Sequence, residues 1–369
     1  LALTSSALAM PTGGEVVRGA GDITLSGGTW DNVANNATIT ATNDGQINWQ
    51  AFNIANGETL NFNIADNKTL VNQVMGNQLS TLLGTMQQTG TGKGNVVLIN
   101  PNGIYVGATA VLNVSDLTLS ALSAEKATDT ERILKADGEG LLNVTGGHFI
   151  GNEVNLIGRK VNVADGVVFD LGTAGDTTTK TMLQVLAADR AEWTFAGDKM
   201  LTKNITHNAG NDVVFNGTVN VKNNQEGEVE IGGATVSATG AKFLGNQLET
   251  TLYAAGKMGI DERAADRNDH RYTAETTAAN TLTADGIEAR GSSADAKGEQ
   301  LSLGGGVVSV KNSSAKVDTL SIEALSSYKG KGDGKLIETK TATDRTVSVA
   351  GSTFDAAKVT VYGGKVTVD

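Results

Sequence analysis

The chain is 369 residues long and acidic, with a formal net charge of −11, 46 glycines, two prolines and no cysteine. The lack of cysteine excludes disulfides and thiolate metal sites, and the acidic balance argues against nucleic-acid binding, which requires clustered lysine and arginine. Aromatic residues make up only 4% of the chain, so a core of small aliphatic side chains in many thin layers is favoured over one thick globular core.

The first nine residues are similar to the end of a signal peptide. Ala7-Leu8-Ala9 has the small-x-small form of a cleavage site, which predicts Met10 as the start of the mature chain. Residues 1–9 are therefore interpreted as a signal-peptide remnant, with an ordinary alanine-rich terminus as the alternative. The sequence contains no apolar run of about 18 residues, so it predicts no membrane-spanning helix.

Short runs of alternating apolar and polar residues follow along the chain, for example 60–64, 161–163 and 219–221. Alternation at period two predicts strands with one buried face. Glycine, asparagine and aspartate separate the runs at predicted corners. Long helices do not intervene, which excludes a doubly wound sheet. Each unit is too small to bury its own apolar face, so we predict a stacked solenoid, with a β-sandwich as the alternative.

Within 70–87 the apolar residues instead follow one helical face, which Gly76 and Gly84 interrupt. Periodicity alone therefore predicts a helix in this segment.

Three further segments lack the β pattern. Residues 124–137 and 177–195 are charged and helix-tolerant, and Leu183, Leu186 and Trp193 fall near helical spacing. Residues 261–280 are polar and have no apolar face. We predict that all three leave the solenoid, the last as a mobile loop.

Residues 95–107 read NVVLINPNGIYVG, in which two apolar strands flank a turn. Asn100 is favoured at the first position of a type I turn, Pro101 presets φ at the second, and Gly103 suits the fourth. These residues predict a tight connection between two strands.

The string LINPNGI at 98–104 resembles the signature of two-partner secretion exoproteins, the filamentous haemagglutinin family. Other segments agree with that family in order: GQINWQAFNI at 45–54; NQV, NQLS and LG at 72–74, 77–80 and 83–84; and LTLSAL at 117–122, where Ala121 replaces the usual threonine. The match covers residues 12–165 and is nearest to the high-molecular-weight adhesin type.

The resemblance implies an all-β, right-handed parallel β-helix with an amino-terminal cap and extra-helical excursions. It also implies β-structure, not a helix, for 70–87. We assign residues 10–165 to the two-partner secretion (TPS) domain and 166–369 to a continuing β-helix passenger. The last residues, 357–369, read as another rung, so we expect the β-helix to continue beyond Asp369.

The function implied is that of the secretion domain and passenger start of a large surface adhesin or haemagglutinin. An outer-membrane TpsB β-barrel would recognise it through periplasmic repeats, and the chain would fold outside the cell as a monomer without cofactor or metal. The receptor, on a host or bacterial surface, is left open. The residues assigned to the secretion motif are Asn72, Asn77, Asn100, Pro101, Asn102 and Gly103.

The alternatives are the stalk of a contact-dependent toxin or haemolysin, or a β-helical enzyme that acts on polysaccharides. An enzyme would need a carboxylate cluster, and the nearest candidate group is Asp165, Asp170, Arg159 and Lys160. The histidines, at 148, 207 and 270, lie far apart in sequence and belong to no catalytic motif. We therefore predict a non-enzymatic protein.

Overall fold

The computed structural model describes residues 10–127, 130–196, 199–222, 226–261, 271–330 and 336–369. All regular secondary structure in these residues is β-strand, which confirms the all-β prediction. No helix in the described part is long and apolar enough to cross a membrane.

Most strands form a parallel β-helix with three stacks, A, B and C, each of which usually contributes one strand per rung. Stack A contains β3 (Asn32–Ala41), β5 (Thr59–Ile64), β8 (Thr85–Gln88), β11 (Val111–Asn113), β16 (His148–Gly151), β19 (Val168–Leu171), β24 (Thr218–Val221), β27 (Lys242–Leu244), β32 (Glu288–Arg290) and the first parts of β35 (Ser314–Ala324) and β39 (Thr353–Tyr362).

Stack B contains β4 (Gly45–Trp49), β6 (Thr69–Val74), β9 (Asn95–Ile99), β12 (Asp116–Ser120), β17 (Glu153–Gly158), β20 (Thr181–Ala187), β25 (Gly227–Gly233), β28 (Leu248–Ala254), β33 (Gly298–Gly305) and the second parts of β35 and β39. Stack C contains β7 (Ser80–Leu82), β10 (Ile104–Val106), β15 (Leu141–Val144), β18 (Lys160–Val163), β23 (Asp212–Phe215), β26 (Thr235–Thr239), β31 (Thr281–Asp285), β34 (Val307–Lys311), β38 (Thr346–Ala350) and β40 (Lys365–Val368).

The interior of the β-helix is one continuous apolar core, because the inward residues of each strand stack on those of the next rung. Four phenylalanine rings show this stacking. Phe149, Phe169, Phe215 and Phe243 follow one another with centroid separations of 4.7, 5.9 and 5.8 Å.

An antiparallel cap covers the first rung, as predicted. β1 (Glu15–Arg18) pairs with β4, and β2 (Ile23–Thr29) pairs with β3, both antiparallel. Trp49 is fully buried beneath this cap, with ring centroids 5.9 Å from both Trp30 and Phe52. The cap therefore closes the end of the core with aromatic rings.

A second, antiparallel sheet is built from hairpins that leave the β-helix. Its strands are β13 (Ser123–Ala127), β14 (Glu131–Lys135), β21 (Arg190–Ala196), β22 (Lys199–Thr206), β29 (Lys257–Asp261), β30 (Arg271–Glu275), β36 (Ser327–Gly330) and β37 (Leu336–Lys340). Each hairpin leaves between stacks B and C, at every second rung from the rung of β12 to the rung of β35, whereas the rungs of β4, β6 and β9 have no hairpin. A two-stranded hairpin is as wide as two rungs, since strands lie about 4.8 Å apart in both. Successive hairpins therefore pair into one sheet.

This sheet corrects part of the excursion predictions. Within the described residues of 124–137 and within 190–195, the chain does leave the β-helix, but as the strands β13, β14 and β21, and 181–187 is a stack B strand. Leu183 and Val185 face the main core, whereas Leu186 packs beneath the second sheet. Because β20 is buried on both faces, its sequence is a nearly continuous apolar run without alternation. Apolar residues in such a run also occur at helical spacing, which explains the wrong prediction. The mobile loop was predicted over 261–280: residues 271–275 are instead a strand, and residues 262–270 lie outside the described residues.

Segment 70–87 consists of three strands, as the resemblance implied, and the helix favoured by periodicity is wrong. The apparent helical face includes Met75 and Leu79, which are 56% and 50% exposed in the bend between β6 and β7. The spacing therefore combined core residues with two surface residues.

The final strands belong to the β-helix, as expected. β39 pairs in register with β35, and β40 with β38. Val359 and Val368 are 53% and 63% exposed on these strands. Residue 165 falls between β18 and β19, where stacking is uninterrupted, so the domain division at that position stays a prediction.

Candidate recognition site

The predicted turn at 100–103 joins β9 to β10 at the corner between stacks B and C. The Gly103 amide donates to the Asn100 carbonyl oxygen at 3.0 Å, which closes the turn. Gly103 has a φ of +116°, and a Cβ there would lie 3.0 Å from the Leu141 carbonyl oxygen. Backbone conformation and close approach both require glycine at this position.

The side chain of Asn100 is fully buried and makes four hydrogen bonds. Its Nδ2 donates to the Gln78 carbonyl oxygen and to Ser80 Oγ, both at 3.0 Å. Its Oδ1 accepts from the Asn102 amide at 3.1 Å and from Asn102 Nδ2 at 3.0 Å. The side-chain carboxamide of Asn100 thus connects its own turn to residues 78–80, which lead into β7.

Asn102 is exposed, but it connects the turn to the preceding rung. Its Nδ2 donates to the Gly76 carbonyl oxygen at 2.8 Å. Gly76 lies in the bend between β6 and β7, where Asn77 is also exposed. Pro101 is half-buried between the two asparagines.

Asn72 lies on β6 and is fully buried. Its Oδ1 accepts from Trp49 Nε1 at 3.0 Å, and its Nδ2 donates to the Val97 carbonyl oxygen at 3.4 Å. Asn72 therefore connects three successive stack B strands, β4, β6 and β9.

The structure thus brings five of the six predicted motif residues to one corner and places Asn72 within stack B. Sequence analysis missed Ser80, whose buried hydroxyl completes the Asn100 network. It also missed the exposed apolar residues that surround this corner, which are Met75, Leu79 and Leu141. Leu141 is remote in sequence, so only the pairing of β10 with β15 reveals its position.

A family profile described as the TPS secretion domain matches residues 7–249. The chain belongs to the TPS secretion domain family. It is therefore a secretion domain of a two-partner secretion exoprotein, exported to the cell surface or the medium. The matched range contains the predicted domain 10–165 and extends beyond it.

Two solved structures are similar to this TPS domain. The HMW1 secretion domain from Haemophilus influenzae is 16% identical, with a TM-score of 0.47, and the match covers 97% of this chain and 100% of that one. The filamentous hemagglutinin secretion domain is 16% identical, with a TM-score of 0.36, covering 98% of this chain and 99% of that one. None of the curated proteins matches the chain.

The catalytic candidates of the TPS domain do not form one group. Asp170 accepts hydrogen bonds from Lys222 Nζ at 2.7 Å and Asn220 Nδ2 at 2.9 Å, and it contacts His148 Nε2 at 2.9 Å. Arg159 instead pairs with Asp189 at 3.3 Å, Lys160 pairs with Asp212 at 3.8 Å, and Asp165 is exposed in a turn. His207 is buried elsewhere, and His270 lies outside the described residues.

A groove of about 580 Å³ lies outside stack B and is rich in acidic residues. Burial, followed by the neighbouring Glu153 carboxylate, raises the pKa of Asp116 in this groove to about 7. No group of three or more histidine, aspartate or glutamate side chains in the described chain could hold a metal ion. The groove therefore supplies no metal site from these residues.

His207 gives a pH prediction for the TPS domain. It is 3% exposed, and burial lowers its pKa from 6.5 to about 4. Because the unfolded chain binds this proton more readily, we expect stability to fall as the pH drops from about 6.5 to about 4. The loss should be about 2–4 kcal/mol. Urea unfolding at several pH values measures it.

The variant His207→Gln should flatten that part of the pH profile, whereas His148→Gln, at a half-exposed histidine, should not. An unchanged acid slope in His207→Gln would contradict the assignment.

Proposed function

We propose that a TpsB barrel binds the unfolded form of residues 10–165 through its periplasmic repeats, before the chain folds outside the cell. The observation that carries this proposal is the burial of Asn72 and Asn100, which are both 0% exposed. A folded domain cannot offer these side chains to a partner, whereas an extended chain can. Membership of the TPS secretion family supplies the partner class.

The extended chain has the alternating pattern that suits pairing with an exposed sheet edge. Main-chain hydrogen bonds would give such a complex its affinity, and pockets for alternate side chains would give it specificity. In the folded domain, Asn72, Asn100 and Asn102 then have structural roles, while Asn77 remains on the surface.

Folding outside the cell would favour export. Each new rung buries apolar surface worth roughly 25 cal/mol per Å², which opposes return of the chain through the barrel. Rungs contact only their neighbours, so folding can proceed rung by rung.

We further propose that the exported protein is a monomeric, non-enzymatic adhesin or haemagglutinin without a cofactor, whose receptor lies on a host or bacterial surface. The separation of Asp165, Asp170, Arg159 and Lys160 supports this choice over an enzyme that acts on polysaccharides. Binding of the purified chain to epithelial cells and to erythrocytes tests the adhesive role.

The secretion proposal predicts that a chain shortened after Gly256 is exported. This length retains the family match and all of β28. Expressed with its leader and its cognate barrel, it should appear in the medium at a level similar to the full chain, measured by immunoblot.

A matched control joins the leader directly to residues 166–369, and this chain should stay in the periplasm. Periplasmic retention of the shortened chain while the full chain is exported would overturn the proposal.

A further inference from the structure

The second sheet is attached to the β-helix at a buried polar cluster. The hairpin β21–β22 leaves after β20 and extends over the next rung, which contains β25 and has no hairpin of its own. Lys203 on β22 points into this interface and is 4% exposed. It meets Glu230 on β25, which is 4% exposed, and Gln184 on β20, which is 5% exposed.

One oxygen atom connects the three side chains. Glu230 Oε2 accepts from Gln184 Nε2 at 2.7 Å and also from Lys203 Nζ. Lys203 Nζ and Gln184 Nε2 therefore both contact the same oxygen atom, Glu230 Oε2. They belong to different layers of the fold, since β22 is in the second sheet and β20 is in stack B.

The Lys203–Glu230 pair is incompletely satisfied. A lysine ammonium has three hydrogens to donate, but among the described residues Glu230 is the only acceptor that Lys203 contacts. Among the described residues, Glu230 Oε1 accepts no hydrogen bond of normal geometry. The apolar cluster beneath the second sheet contains Leu186, Ile205 and Tyr253, and the Tyr253 side chain lies beside Glu230. Charges in such a place are costly unless each is fully hydrogen-bonded.

Transfer of one proton from Lys203 Nζ to Glu230 Oε2 removes both charges. It leaves an uncharged amine, which is the nucleophilic form of lysine. The same carboxyl oxygen then adjoins the nitrogen of the Gln184 carboxamide, so Glu230 is placed to take a proton from the attacking nitrogen and give one to the leaving nitrogen.

We propose that Lys203 and Gln184 become joined by an intramolecular isopeptide bond, with Glu230 as the proton carrier. Lys203 Nζ forms a bond to Gln184 Cδ, and the bond from Cδ to Nε2 breaks. Ammonia leaves with a proton delivered by Glu230, which is regenerated. No oxidant, metal or cofactor takes part, because the reaction exchanges one amide for another.

The bond would fix the second sheet covalently to the β-helix after folding brings the three residues together. This modification is independent of the secretion function, since it depends on the folded state and not on the barrel.

Peptide mapping of the purified folded chain tests the proposal. After complete trypsin digestion, residues 181–190 and 200–222 should appear as one joined species, lighter than their sum by one ammonia. Cleavage after Lys203 should be blocked. The joined peptide is the decisive readout, because loss of ammonia at an Asn-Gly pair would lower the intact mass without joining two peptides.

Lys203→Met and Glu230→Gln should each abolish the joined peptide. Lys126→Met, which removes the exposed Lys126–Glu131 pair of another hairpin, should retain it. Recovery of separate peptides 181–190 and 200–203 from the folded wild-type chain would overturn the proposal. So would persistence of the joined peptide in Glu230→Gln.

Discussion

Replacing Asn100 with alanine is expected to lower the free energy of unfolding by about 3 kcal/mol. The substitution removes four hydrogen bonds of a fully buried amide. It leaves the buried Ser80 hydroxyl without this partner, and a buried group left unsatisfied costs about 1–3 kcal/mol. The Gln78 carbonyl and the Asn102 amide, which are only partly buried, lose a hydrogen bond as well. Urea unfolding followed by circular dichroism measures the change.

The control is Asn77→Ala in the neighbouring bend. Asn77 is exposed, so its removal should change stability by less than about 0.5 kcal/mol. We also expect Asn100→Ala to lower the amount of folded protein in the medium when it is expressed with the cognate barrel. Wild-type secretion together with unchanged unfolding would show that the Asn100 network is dispensable.

Replacing Trp49 with alanine should destabilise the capped end by about 3–5 kcal/mol, the usual cost of removing a large buried aromatic side chain. Trp49 is fully buried between Trp30 and Phe52. Its removal also leaves Asn72 Oδ1 without the indole donor. Thermal unfolding should show the loss, and hydrogen exchange should locate it in β1–β6.

Trp30→Ala is the matched control, because Trp30 is only partly buried at the edge of the same aromatic group. Its effect should be clearly smaller. If the two tryptophans were equally dispensable, the cap would not depend on the ring of Trp49.

Local chemistry predicted the turn at 100–103 well, because Asn, Pro and Gly each have a positional preference within four residues. Alternation likewise predicted the strands at 60–64, 161–163 and 219–221. The partners of Asn100 were less accessible: Ser80 lies 20 residues away, and only stacking of β7 against β10 brings them together. The family resemblance predicted Asn72 as a motif residue, but its hydrogen bond to Trp49 depends on the register between β4 and β6.

The second sheet could not be predicted for a different reason. Its strands carry few apolar residues, since one face is turned to solvent, and their pairing is set by which rung each hairpin leaves. The β20 segment beneath it has apolar residues on both faces, which erased the period of two. The missed second sheet and the wrong helical reading of β20 both arise where the second sheet packs on stack B. The spacing of residues along the chain contains no information about that contact.

The spacing of the hairpins means that the number of rungs beneath the second sheet is set in multiples of two. A hairpin covers its own rung and the one after it, so beneath the outer sheet rungs with and without hairpins must alternate for that sheet to stay continuous. Loss or gain of a single rung would leave either a gap in that sheet or two hairpins competing for one position. Lengthening or shortening that preserves both layers therefore proceeds by pairs of rungs, and the smallest complete repeat of this architecture is two turns rather than one.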